Sequence, residues 1–391
     1  MNAVARRLSL FAAAVVAAAL LAADPAHAQF GAPPADQPDM AVDRATARAV
    51  VESLAVQVET EYVFPDVAKK VARGLRERAK KGRYDTIGQA KELSDTLNVD
   101  LRALAHDLHL RLHYSNRPLP ATAPGQDSNG DHLPDPAEQA RAAAQARRMN
   151  HGFDKVQRLA GNVGYLELRA FDGSPEAGQT AIASLEFLKN SDALIFDLRR
   201  NGGGDPNMIV LLLSHLYAGE DRVHVNDFYQ RRGDRTEEYW TTTTVPGPRF
   251  DGKDVYVLTS RRTGSAAEEF AYDIKHLKRG TLIGEVTAGG ANPGGLFRLN
   301  DHFAAFIATG RAINPITKTN WEGVGVEPDV KTSADEALKT AHVMALEKLQ
   351  AKATDAELKG MYDRALEQAR NQPVEPVAGI GSPTKAAAAK N

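Results

Sequence analysis

Ser265 stands among small residues, in Thr263-Gly264-Ser265-Ala266-Ala267, shortly after an apolar run, Val255-Tyr256-Val257-Leu258. The run reads as a strand, and the residues from Ala266 onward read as a helix. A serine at such a turn can hold its hydroxyl clear of the backbone. The first amides of the helix lack intrahelical acceptors and favour negative charge. A nucleophilic serine needs both: an accessible hydroxyl and donors for the oxyanion its attack creates. The segment also fits a plainer purpose. Ser265 and Glu268 form a Ser-x-x-Glu capping box, which many inert helices carry. The Gly-x-Ser-x-Gly elbow of the α/β-hydrolases is absent.

A second candidate is Asp197-Leu-Arg-Arg-Asn201-Gly202-Gly203-Gly204, at the end of a buried strand. Glycines let backbone approach a ligand closely and turn its N–H groups inward. That suits an oxyanion hole, and a plain strand-to-helix turn would look the same. A phosphate cradle would call for Gly-Lys-Ser/Thr or Gly-x-Gly-x-x-Gly, and neither follows. His106, Asp107, His109 and His113 cluster where a helical pattern continues. On a helix the three histidines would share a face. The zinc pattern His-Glu-x-x-His is missing, so no metal and no other cofactor is expected. His109 alone could act as a general base, because imidazole takes a proton near neutral pH; a surface histidine is the plain alternative. Glu322, in Asn320-Trp321-Glu322-Gly323, could orient that histidine, or be an ordinary loop acid. Asp127, Asn129, Asp131 and Asp135 have calcium-loop spacing but lack the twelfth-position Glu of an EF-hand, and Asx-turn loops use such residues more often.

The elements that must position these residues follow from periodicity. Arg6 and Arg7, the apolar run Leu8 to Ala23 and Ala26-His27-Ala28 read as a secretory signal peptide over residues 1–28. Export to a periplasm or the exterior follows, with no membrane anchor after cleavage. Residues 29–40 read as a flexible leader and 41–115 as a helical domain. Its apolar faces are Ala47, Val50, Val51, Leu54 and Val58; then Val67, Val71 and Leu75; then Leu93, Leu97, Leu101, Leu104 and Leu108. Residues 116–160 read as a linker, and 161–335 alternate strand and helix as an α/β catalytic domain. Helices over 336–371 and a disordered tail over 372–391 complete the division. The chain has no cysteine, which excludes disulfides, thiolate metal sites and a thiol nucleophile. Its formal net charge of −2 argues against a nucleic-acid partner. Arg111, Arg199 and Arg200 are candidates to bind a carboxylate, although solvated surface charge is the commoner role. Oligomeric state is not legible.

Four segments in order resemble the tail-specific (C-terminal-processing) serine peptidase family, in the branch related to interphotoreceptor retinoid-binding protein. They are Asp107-Leu-His109-Leu-Arg111, Asp197–Gly204, Thr259–Glu269 and Glu322–Asp329, with Tyr62-Val-Phe-Pro65 and Gly82-Arg-Tyr84 in front. The resemblance covers roughly residues 45–335. It implies a crotonase/Clp-like fold of β-β-α units behind a small helical bundle. It also implies a secreted or periplasmic serine-type peptidase acting on peptide or protein substrates. Ser265 matches the nucleophile, His109 the base and Glu322 the acid. Gly203 and the Ala266 amide match the oxyanion hole, with Gly202 beside them. Gly290 stands where one branch carries the lysine of a Ser–Lys dyad, so that dyad is not expected here. Residues 116–160 are too few for that branch's PDZ domain. Tricorn-like relatives carry a serine just before the histidine, where this chain has Leu108. The alternative implied by the same branch is a non-catalytic carrier of apolar ligands or peptides.

Overall fold

The computed structural model describes residues 37–107, 109–119, 136–374 and 376–377. The proposed signal peptide, the Asp127–Asp135 loop and most of the tail after Gln372 lie outside them.

Three helices open the described residues: α1 (Arg44–Glu61), α2 (Pro65–Lys80) and α3 (Ala90–Ala105). Asp43 caps α1 by accepting from the Thr46 amide, and Pro65 starts α2, where a missing N–H costs nothing. Val50, Val51, Leu54, Val71, Leu75, Leu93, Leu97 and Leu101 form their common core. Each such side chain contributes roughly 1.5–3 kcal/mol by leaving water. α3 ends sooner than its leucine spacing suggests. His106 takes a left-handed conformation (φ 55°) and closes the helix.

The chain then enters β1 (Arg111–Tyr114), which the helical reading of 41–115 did not include. β1 pairs antiparallel with β10 (Phe303–Ala308), which pairs with β9 (Gly294–Arg298). The helical bundle packs on this sheet through Leu112, Tyr114, Phe297, Phe303 and Ile307. A strand from the front of the chain is thereby stitched to two strands from its second half. His109 lies two residues before that stitch.

The central sheet has six strands. They are β2 (Phe153–Leu159), β3 (Val163–Leu168), β4 (Ala193–Asp197), β7 (Asp254–Thr259), β8 (Thr281–Gly284) and β12 (Val330–Lys331). Only β2 runs antiparallel to its neighbour. β2 and α4 (Pro136–Arg148) fall in the stretch read as linker. α5 (Pro175–Leu188), α6 (Pro206–Ser214) and α7 (Ala266–His276) cover one face through Leu185, Leu212 and Phe270 against Leu166, Phe196 and Val257. α8 (Ala337–Lys352) and α9 (Ala356–Asn371) cover the other through Ala341, Leu346 and Leu366 against Tyr165, Ile195 and Leu258. Burial on both faces explains why β3 and β4 read as continuous apolar runs. β5 (His224–Gln230) pairs with β6 (Arg235–Trp240) and β11 (Gly310–Ile313) in a third small sheet. The architecture is α/β with N-terminal helices, as the sequence indicates. The loops after β4, β7 and β8 leave the carboxyl ends of adjacent parallel strands, where open α/β sheets build their sites.

Candidate active site

The loop after β7 delivers Ser265 to the start of α7. Its backbone has φ 52° and ψ −124°, a conformation L-residues rarely adopt. Three bonds fasten this turn to the segment after β4. Thr263 Oγ1 donates to the Leu198 carbonyl at 2.8 Å, Ser260 Oγ to the Arg199 carbonyl at 2.6 Å, and the Gly264 amide to the Asn201 carbonyl at 3.0 Å. The strain is thus held by the surrounding fold.

Gly203 faces the serine directly. A Cβ on it would lie 2.7 Å from Ser265 Cβ and 3.1 Å from the Ala266 nitrogen, and its φ is +119°. Only glycine fits there. Its N–H, expected to point into an oxyanion hole, instead donates to Asn201 Oδ1 at 2.8 Å. Asn201 is itself fixed through Nδ2 to the Leu168 carbonyl at 2.9 Å. Ala266 occupies the first position of α7, where amides have no helical acceptor. Gly202 is exposed, and a Cβ there would meet nothing within 4 Å.

His109 is not on α3. Asp107 forms a turn in which Oδ1 accepts from the His109 amide at 2.7 Å and the Leu110 amide at 3.1 Å. Tyr62, from the front helices, donates its hydroxyl to Asp107 Oδ2 at 2.8 Å. The shared face of His106, His109 and His113 therefore does not form: His106 caps α3 and His113 lies on β1. Burial, then the nearby Arg111 charge, lowers the His113 pKa to about 4.

Glu322 meets His109. Its Oε2 lies 3.5 Å from Nδ1, an ion-pair distance that is long for a hydrogen bond. The same oxygen accepts from the Ala291 amide at 2.7 Å and the Asn292 amide at 3.0 Å. The ring packs beside Phe306, with centroids 5.7 Å apart. The ring also rests on Gly290, where a Cβ would fall 2.7 Å from Nε2 and 2.6 Å from Cε1. The Gly290 amide shares Glu268 Oε2 with the Ser265 amide, each at 2.9 Å, so serine and imidazole flank one glycine. Among the described residues no direct hydrogen bond joins Ser265 Oγ to the ring. Catalytic contacts are often loose until substrate binds.

Burial opposes the His109 cation, but Glu322, Asp107 and Glu268 outweigh it and hold the pKa above its usual value. Burial likewise pushes Glu322 up, and His109 with the Ala291 and Asn292 amides more than reverses it. Asp107 is raised, first by burial and then by Glu322. Asp107, His109 and Glu322 bring ligand-type atoms within 4.8 Å of one another. Both carboxylates already accept from N–H or O–H donors.

Arg199 is not available to a substrate carboxylate. It is buried, pairs with Asp197 through Nε and NH2, and donates to the Ala334 carbonyl. Arg200 pairs with Glu167, and Arg111 is exposed at the start of β1. The residues missed as site builders are Asn201, Glu268 and the loop Thr287–Asn292. The sequence shows Asn201 within the glycine segment, the capping-box spacing of Glu268 and Gly290 at the dyad-lysine position, but not the hydrogen bonds that join them.

One family model, described as Peptidase family S41, matches residues 162–332. A second, described as the N-terminal domain of Peptidase_S41 in eukaryotic IRBP, matches residues 40–149. The chain is 30% identical over 174 residues to the chloroplastic carboxyl-terminal-processing peptidase 2 of Arabidopsis thaliana, covering 43% of this chain and 31% of that protein. It is 30% identical over 158 residues to the tail-specific protease of Haemophilus influenzae, covering 39% of this chain and 20% of that one. The chain thus spans less than a third of either relative. A solved Parabacteroides merdae structure shares the fold, with TM-score 0.56, 20% identity and coverage of 79% of this chain and 99% of that one. The structure of mature CPAF does so at TM-score 0.51 and 11% identity, covering 84% of this chain and 99% of that one.

Proposed function

Because the chain belongs to peptidase family S41, we propose that it hydrolyses peptide bonds through an acyl-enzyme on Ser265. His109 Nε2 takes the hydroxyl proton as Oγ attacks the carbonyl carbon. The carbonyl π pair moves to oxygen, and the helix-start amide at Ala266 stabilises that charge. Gly203 joins it once substrate draws its N–H from Asn201. The tetrahedral intermediate collapses, the C–N bond breaks, and the imidazolium returns its proton to the leaving amine. Water then attacks the ester with the same base and frees the serine. Glu322 keeps Nδ1 protonated, leaving Nε2 to accept.

The observation that carries this reading is the meeting at Gly290. The ring of His109 covers it, and its amide shares an acceptor with Ser265. An activated ester substrate should give a burst of acyl-enzyme that Ser265→Ala and His109→Ala lack. A wild type with neither burst nor turnover would sink the proposal. A carrier would need an apolar cavity. One groove, of about 820 Å³ beside β2, is lined mainly by polar side chains, among them Gln157, Arg158, His342, Gln368 and Asn371, and does not suit an apolar ligand. Peptide or protein substrates follow from the peptidase reading. Export follows from the Arg6-to-Ala28 pattern, and sequencing the mature N-terminus should find Gln29. Among the described residues no helix is long and apolar enough to cross a membrane.

A further inference from the structure

We infer that Glu268 is a positioning residue: its carboxylate ties the turn that carries Ser265 to the loop on which the His109 ring rests. This deepens the peptidase reading and rests on it. Glu268 has no exposed surface. Its Oε2 accepts from the Ser265 and Gly290 amides, both at 2.9 Å. Its Oε1 accepts from the Gly289 amide at 2.6 Å and from Thr287 Oγ1 at 2.5 Å. Four donors fill the acceptor sites of one carboxylate, which is what a buried charge requires.

A capping box needs only one of these bonds, the one to the Ser265 amide. The other three go to a loop more than 18 residues further along the chain. That loop holds the rest of the site. Gly290 has no room for a Cβ, because the His109 ring occupies that volume at 2.6–2.7 Å. The Gly290 carbonyl accepts from Trp321 Nε1 at 2.9 Å, and the Gly289 carbonyl accepts from the Gly323 amide at 2.8 Å. These bonds flank Glu322 in sequence. Thr287 Oγ1 also accepts from the Val326 amide at 2.7 Å. One oxygen therefore sets the distance between the nucleophile's backbone and the base's seat. The charge matters as much as the shape. Glutamine would turn an NH2 toward N–H donors whichever way it flipped, since each oxygen faces a backbone amide.

The test compares wild type with Glu268→Gln in the full chain. Peptidase kinetics and amide exchange at Ser265, Gly289 and Gly290 are read on both. A shift of about 1 Å between reacting groups costs roughly a hundredfold, so kcat should fall about that much with KM changed less than about threefold. The three amides should exchange faster while the core amides of β4 and β7 do not. Unchanged kcat or unchanged exchange at those amides overturns the inference. A wild type that is active beside an equally active Glu268→Gln defeats this inference alone. A wild type without activity or acyl-enzyme defeats the peptidase reading, and this positioning role with it. If Glu268→Gln does not fold, Thr287→Val replaces it, with about tenfold lower kcat and unchanged KM expected and full kcat as the contrary result.

Discussion

Among the described residues stand two groupings of serine, histidine and acid, and they are built differently. Ser174, His151 and Asp172 lie at the edge of the central sheet. There His151 Nδ1 faces Asp172 Oδ2 at 2.7 Å and Ser174 Oγ at 3.3 Å. Both partners crowd the same ring nitrogen. Ser174 also accepts from the Ala177 amide as the cap of α5, in an ordinary extended conformation (φ −67°). Ser265, His109 and Glu322 come from three distant segments. Glu322 faces Nδ1, Nε2 turns toward Gly290, and the serine is strained at φ 52°. Short distances alone would favour the Ser174 grouping over the one proposed to react. The proposed mechanism instead needs a division of labour between two ring nitrogens, since one must be oriented while the other moves a proton.

The largest effect expected from this contrast is at the nucleophile and base. Ser265→Ala and His109→Ala should each lower kcat by roughly 10⁴–10⁶-fold, because triad members fail as a unit. Ser174→Ala should stay within about threefold of wild type. Comparable losses from Ser174→Ala and Ser265→Ala in steady-state assays would erase the distinction. Next comes Glu322→Gln, with an expected loss of about 10²–10⁴-fold. Its pH profile has a defined sign. A base works only when neutral, and the surrounding carboxylates hold the His109 pKa above the ordinary imidazole range, so kcat/KM should rise with pH along a limb displaced upward from that range. Removing Glu322 takes away the foremost of those counter-charges, and the rising limb should move to lower pH. A limb that stays put would show that Glu322 does not govern the ring.

Gly290→Ala should cost about a hundredfold in kcat, because its methyl needs the volume of the His109 ring. Gly202→Ala, with nothing within 4 Å of its Cβ, should remain within about threefold. Equal kinetics for the two would mean that the ring does not need that seat. The smallest effect belongs to the Ser174 grouping. Ser174→Ala should lower stability by about 1 kcal/mol through loss of a helix cap, measured by urea unfolding. An unchanged midpoint would deny Ser174 even that role.

The sequence made Ser265 legible because a strand, small residues and a helical pattern follow one another locally. Glu268 was visible only as a cap, since three of its four bonds reach a loop whose position depends on β8. The leucine spacing runs on through Leu108 and so places His109 on a helix. The helix stops earlier because Asp107 offers its side chain to the His109 and Leu110 amides, and a side chain that competes with the backbone ends a helix. β1 is hidden for another reason. Its pairing with β10 joins residues nearly two hundred positions apart, which no local period reports. The glycines after β4 announced a close approach, and Gly203 makes one to Ser265. The direction of its N–H was not legible, because it depends on the side chain of Asn201.

The most direct measurement is covalent labelling of the purified chain with a fluorophosphonate, with the adduct mapped by mass spectrometry. The account predicts one adduct per chain, on Ser265, formed far more slowly in His109→Ala and absent from Ser174. Labelling that persists in Ser265→Ala, or a wild type that takes up no probe, would contradict it.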